Sequence, residues 1–147
     1  MPQIEKEYIT TGKVKYVSLD FPLESIHKQA LKLAEIAHCS GEQGKYWEMH
    51  SQFFVDQRTL KPENWQVYGQ VVGLEKFSFE QCIDSRRYAS EIRKDMAEGQ
   101  KAGVKSIPTF LLGFTEPNGK VKAVRMITGA QPYASFKEAM DSLLSQK

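Results

Sequence analysis

The feature that most limits how this chain can fold is a change of period. From Glu24 to Gly103 the pattern reads helical throughout, and on either side of that block it changes to the alternation of strands. Before it, Val14 and Tyr16 alternate with Lys15 and Val17, and Lys13 to Phe21 is rich in branched and aromatic residues that suit a strand. Pro22 ends that segment. After it, Thr109 to Phe114 and Val121 to Thr128 read as strands joined by Thr115-Glu-Pro-Asn-Gly-Lys120, where Asn118-Gly119 offers the left-handed backbone a hairpin needs. A short amphipathic helix from Pro2, ended by Gly12, opens the chain, and a helix from Tyr133 to Ser145 closes it with Phe136, Met140, Leu143 and Leu144 on one stripe. Strands at both ends around a helical middle predict an α/β fold.

Inside the helical block, Ile26, Ala30, Leu33, Ala34 and Ala37 share one face, and Gly41 and Gly44 break that helix. Tyr46, Trp47, Met49, His50, Phe53 and Phe54 give the next helix a heavy aromatic face, and Tyr46, Trp47, Phe53 and Phe54 are expected in the core. A third helix is predicted from Pro62 to Val72. Ser78 and Gln81 have capping-box spacing, and a fourth helical stretch runs from Phe79 towards Lys101 with a bend near Ser85.

With 147 residues, one domain with a real core is the default, since a chain of this size buries about 70% of the surface it exposes when unfolded. Charged residues of both signs are spread along the chain and the net charge is only +2, which argues against nucleic acid as a partner. No apolar run is long enough to span a bilayer, and Glu5, Lys6, Glu7, Lys13 and Lys15 stand where a signal peptide would be apolar.

The segment Gly103-Val-Lys-Ser-Ile-Pro-Thr-Phe-Leu-Leu-Gly113 resembles the cis-proline strand of thioredoxin-fold proteins. Further ordered matches narrow the resemblance to the DsbA-like thiol-disulfide oxidoreductases: Gln3 to Val17, Asp20-Phe-Pro-Leu23, Ala37-His-Cys-Ser-Gly-Glu-Gln-Gly-Lys-Tyr-Trp47, Gly99-Gln-Lys-Ala-Gly-Val104 and Gly129-Ala-Gln-Pro-Tyr133. The resemblance implies a single thioredoxin-like domain over residues 1–147, with residues 1–23 and 104–147 as the thioredoxin-like part and 24–103 as a large helical insertion. It implies that Ser106, Ile107, Pro108 and Thr109 dock an extended polypeptide substrate, the backbone of Ile107 pairing with it as an added strand. Family members usually work outside the cytoplasm. They also open with a strand and a Cys-x-x-Cys helix, and neither is found in this sequence. The chain is therefore expected to lack catalytic residues and redox activity by itself. A non-catalytic peptide-binding module and an assembly subunit are the rival readings. The absent strand would lie between Lys13–Phe21 and Thr109–Phe114, so an open sheet edge is expected, with homo-oligomerisation or a weakly stable monomer as the consequence.

Cys39 and Cys82 are the only cysteines. The resemblance implies a structural disulfide between them in an extracytoplasmic protein; in the cytosol two reduced, buried thiols are the expectation. His27, His38 and His50 suggest no metal site, because neighbours such as His38 and Cys39 point about 100° apart on a helix. No cofactor is implied.

Overall fold

The computed structural model describes residues 2–55 and 60–146. In chain order the elements are α1 (Pro2–Ile4), continued by a π-helical stretch Glu5–Ile9, then α2 (Ala30–Gly41), α3 (Tyr46–Val55), a 3-10 turn Pro62–Asn64, α4 (Trp65–Val71), α5 (Lys76–Ser85), α6 (Ala89–Lys101), β1 (Thr109–Thr115), β2 (Val121–Thr128) and α7 (Tyr133–Leu144). They fall into two compact units, Met1–Ser18 with Ala102–Lys147, and Leu19–Lys101.

In the first unit β1 and β2 form an antiparallel hairpin. Glu116 accepts from the Gly119 N–H at 2.9 Å, and Gly119 takes the left-handed conformation (φ 79°). Pairing runs from Thr109 opposite Thr128 to Leu112 opposite Arg125, shifts by one residue, and resumes at Gly113 opposite Ala123. A side chain at Gly113 would run into the Lys122 carbonyl, so the shifted strands approach as closely as they do only with glycine there. Because side chains alternate across a strand, Phe110, Leu112 and Ile127 face α7, while the cross-strand partners Leu111 and Met126 lie exposed on the other face. The Phe110 ring meets Phe136 edge-on at 4.8 Å. Tyr8, buried on the π-helical stretch, donates to Asp141 at 2.6 Å, and Lys137 donates to the same carboxylate at 2.7 Å.

The segment Lys13 to Phe21, expected to be a strand, carries no ladder. A strand exists only through its neighbours, and β1 pairs with β2 alone among the described residues. Branched and aromatic residues gave this segment the propensity but not a partner.

The second unit is built around α2, which packs against α3, α5 and α6. Ile36, Ala37, Cys39, Met49, Phe53, Phe79, Cys82 and Ile83 form its core, each large side chain contributing about 1.5–3 kcal/mol by leaving water. Several expectations need correction. Ile26 lies outside α2 and is exposed, because the helix begins only at Ala30. Phe53 is buried, but Trp47 and Phe54 are exposed: α3 has two apolar stripes, and Met49 with Phe53 is the one that turns inward. The cap of α5 is Glu75 rather than Ser78; its carboxylate accepts from the Phe77 and Ser78 N–H groups, both at 2.8 Å. Nor does one bent helix run to Lys101. Arg86 adopts the left-handed conformation (φ 51°) and separates α5 from α6, its Nε donating to the buried Glu35 carboxylate at 3.3 Å.

Gly69 in α4 faces the buried Phe79 ring so closely that an added Cβ would sit 2.8 Å from it. Gly69→Ala is expected to destabilise the protein by about 1–3 kcal/mol through overpacking, despite alanine's better helix propensity, as read from the urea midpoint. A gain in stability would show that the ring has room to move.

Candidate functional site

The loop that enters β1 carries the candidate site. Its Ile107–Pro108 peptide bond is cis. The Thr109 hydroxyl donates to the Ser106 carbonyl at 2.6 Å, closing the turn across the proline. The Gly129 N–H, just past the end of β2, donates to the Pro108 carbonyl at 2.8 Å and ties the loop to the hairpin. The backbone N–H and C=O of Ile107 have no hydrogen-bond partner among the described residues, and its side chain is 49% exposed. An unpaired donor, an unpaired acceptor and an open aliphatic side chain thus lie together at the start of an edge strand. Sequence reasoning singled out Ser106 to Thr109 but not the support from Gly129. The signal was its position in Gly129-Ala-Gln-Pro-Tyr133, where φ is 82°.

Cys39 and Cys82 are joined as a disulfide between α2 and α5, with Cα atoms 5.7 Å apart. Both are almost fully buried, at 2% and 1% exposure. The Glu42 carboxylate lies 3.6 Å from the Cys82 sulfur, held by two hydrogen bonds from Arg87 (2.7 and 2.6 Å) and one from the Tyr88 hydroxyl (2.9 Å). The Arg87 bonds, foremost, hold this carboxyl below the usual range, so it stays an anion. Burial and a fixed neighbouring anion both disfavour a thiolate at Cys82, and the thiolate is the species that exchanges disulfides. The cystine is thus buried and lies beside a fixed anion.

A family model described as Thioredoxin matches residues 1–141, and the fold superposes on a Cys-to-Ala double variant of α-DsbA1 from Wolbachia pipientis with a TM-score of 0.79. The chain belongs to the thioredoxin family. That structure is 22% identical and is matched over 99% of this chain and 75% of its own; the unsubstituted Wolbachia α-DsbA1 gives a TM-score of 0.73 over the same shares. Disulfide bond formation protein D of Bacillus subtilis is 25% identical, over 99% of this chain and 64% of that protein. Na(+)/H(+) antiporter NhaA 3 of Salinispora tropica is 29% identical over 80% of this chain. The chain matches only 18% of that antiporter's length.

The histidines divide by surroundings. His38 sits against Asp20, His50 is half-buried among the aromatic rings of α3, and His27 lies between the described elements as an exposed residue. Among the described residues no three His, Cys, Asp or Glu side chains are arranged to hold a metal, and no helix is long and apolar enough to cross a membrane. The Asp20–His38 pair was missed, because a contact between a loop and a helix leaves no periodic trace.

Joining residues 43 apart in sequence removes about 4 kcal/mol of unfolded-chain entropy on the loop-closure model. The double substitution Cys39→Ala, Cys82→Ala is expected to lower stability by about that much in urea titrations. In the intact protein, dithiothreitol should reduce the bond at a measurable rate only when denaturant is present; equal rates of alkylation with and without denaturant would refute an inert cystine.

Proposed function

We propose that this chain docks extended polypeptide at Ser106–Thr109, in the manner of a DsbA-like oxidoreductase, and does not exchange disulfides by itself. The observation that carries the reading is the pairing-competent backbone of Ile107 beside its exposed side chain. A polypeptide laid along this loop gains two main-chain hydrogen bonds and covers an aliphatic group, the mode by which a strand adds to a sheet edge. Ser106, Pro108 and Thr109 shape the loop, and Gly129 anchors it.

The thiols support the reading of redox inactivity. The chain has two cysteines, both committed to a buried disulfide beside an anion, so no thiolate is available to attack a substrate. The Bacillus relative's name supports the disulfide class for the family. The antiporter match covers too little of those proteins to bring ion transport into this reading.

The test uses a fluorescein-labelled, cysteine-blocked unfolded peptide, with affinity read by anisotropy. Ile107→Asp places a charge where the peptide would cover an aliphatic side chain, and is expected to weaken binding roughly tenfold, about 1.4 kcal/mol, with the unfolding midpoint unchanged. Equal binding by both proteins would remove Ile107 from the site. Insulin reduction at the rate of a protein-free blank is expected; vigorous turnover would overturn the claim of inactivity. Self-association through the open edge of β1 would instead appear as a concentration-dependent mass in light scattering.

A further inference from the structure

The first residues of the second unit are held by a small polar cluster that the docking site does not use. Asp20 presents one carboxylate oxygen to His38 Nε2 at 2.6 Å, and its backbone N–H donates to the Asp95 carboxylate on α6 at 3.3 Å. Both side chains of the Asp20–His38 pair are largely buried, at 16% and 19% exposure. The His38 ring stacks on Tyr88 at 4.8 Å and meets Tyr46 of α3 edge-on at 5.7 Å, so it cannot turn away from Asp20 without losing both contacts. Next to Asp20, Pro22 is buried and Phe21 half-buried, whereas residues 24–29 are exposed. The polar cluster and the buried Pro22 are therefore the last attachments before a solvent-facing stretch.

We propose that Asp20, His38 and Asp95 form a proton-operated latch that holds residues 19–23 against α2 and α6 and lets go as the pH rises.

The balance of charge explains the direction. His38 is surrounded by carboxylates: Asp20 on the connector, Glu91 and Asp95 on α6. Tyr88 stacks on its ring and Tyr46 meets it edge-on, neither bringing a charge, and His50 on α3 feels the Asp20 charge as well. With the imidazolium present, one cation offsets three neighbouring anions. When it loses its proton, Asp20 is left beside Asp95 with no cation between them, and the repulsion acts directly on the segment that Asp20 belongs to. The hydrogen bond to Asp20, foremost, holds the His38 proton above the ordinary histidine range, against burial, which opposes it. Burial likewise pushes the Asp95 carboxyl up, so it too is more easily accommodated with its proton. Both groups have folded-state affinities for protons above those of the unfolded chain. The stability His38 contributes is complete below the ordinary histidine range and is lost as the pH rises through its raised value; that of Asp95 is complete only below the ordinary carboxylate range and is already lost at lower pH than that of His38, so His38 sets the release.

Hydrogen-exchange mass spectrometry of the whole protein between about pH 5 and about pH 9, corrected for the intrinsic rate, reads the latch directly. Protection of peptides covering residues 19–23 is expected to fall about tenfold or more across that range while peptides from α5 stay constant, which separates latch release from global unfolding. His38→Gln and Asp20→Asn are expected to show low protection of residues 19–23 at every pH, with no titration step. An NMR titration of the His38 ring in the unsubstituted protein serves if a variant fails to fold. Protection independent of pH, a step retained in His38→Gln, or a His38 midpoint at or below about 6.5 would overturn the proposal.

Discussion

Helix α2 has almost no side that it leaves to water in its second half, and the unit from Leu19 to Lys101 is organised by the need to surround it. Glu35, Ile36, Ala37, Cys39 and Ser40 are all buried, and these residues point around most of the helix circumference. Three helices close on it, α3, α5 and α6. The disulfide ties it to α5, and His38 ties it to the connector. Burying Glu35 creates the one strong polar demand in this packing. Arg86, left-handed between α5 and α6, donates to one of its oxygens at 3.3 Å, and Lys32 stands 3.7 Å from the other, which has no hydrogen-bond partner among the described residues.

The same logic explains what the sequence could and could not disclose. The switch from helical to strand period at Gly103 was legible because Thr109–Thr115 and Val121–Thr128 carry a hairpin turn whose chemistry is local. The loop Ser106 to Thr109 was legible from its resemblance to a family segment. Other features depend on partners far away in sequence. Lys13 to Phe21 has strand composition, but a ladder needs a neighbour. On α3, the stripe through Tyr46, His50 and Phe54 is as apolar as the stripe through Met49 and Phe53, and nothing local says which turns inward. Glu75 displaced Ser78 as the cap of α5 because its longer side chain folds back onto two N–H groups. A left-handed arginine at position 86 has no signature at all without Glu35.

The disulfide and the loop Ser106 to Thr109 differ in chemistry. A cystine that exchanges must present a sulfur to solvent and stabilise the departing thiolate. Cys39 and Cys82 are packed with Met49, Phe53, Phe79 and Ile83, and a carboxylate held by Arg87 and Tyr88 lies 3.6 Å from the Cys82 sulfur. The bond acts on the unfolded chain, by shortening it, more than on any substrate.

Two strands alone are marginal in water, and here the hairpin gains its stability from one face only, through Phe110, Leu112 and Ile127 against α7. The other face, with Leu111 and Met126, and the outer edge of β1 are where the first unit has unspent bonding capacity. That edge begins two residues after Ile107. A polypeptide pairing with Ile107 and running on beside β1 would use adjoining donors and acceptors of a single continuous line of backbone. On the reading of Ser106–Thr109 as a docking loop, peptide docking and strand addition to β1 would not be independent events: whatever filled the edge of β1 would also border that loop and limit how far a bound polypeptide could extend along it.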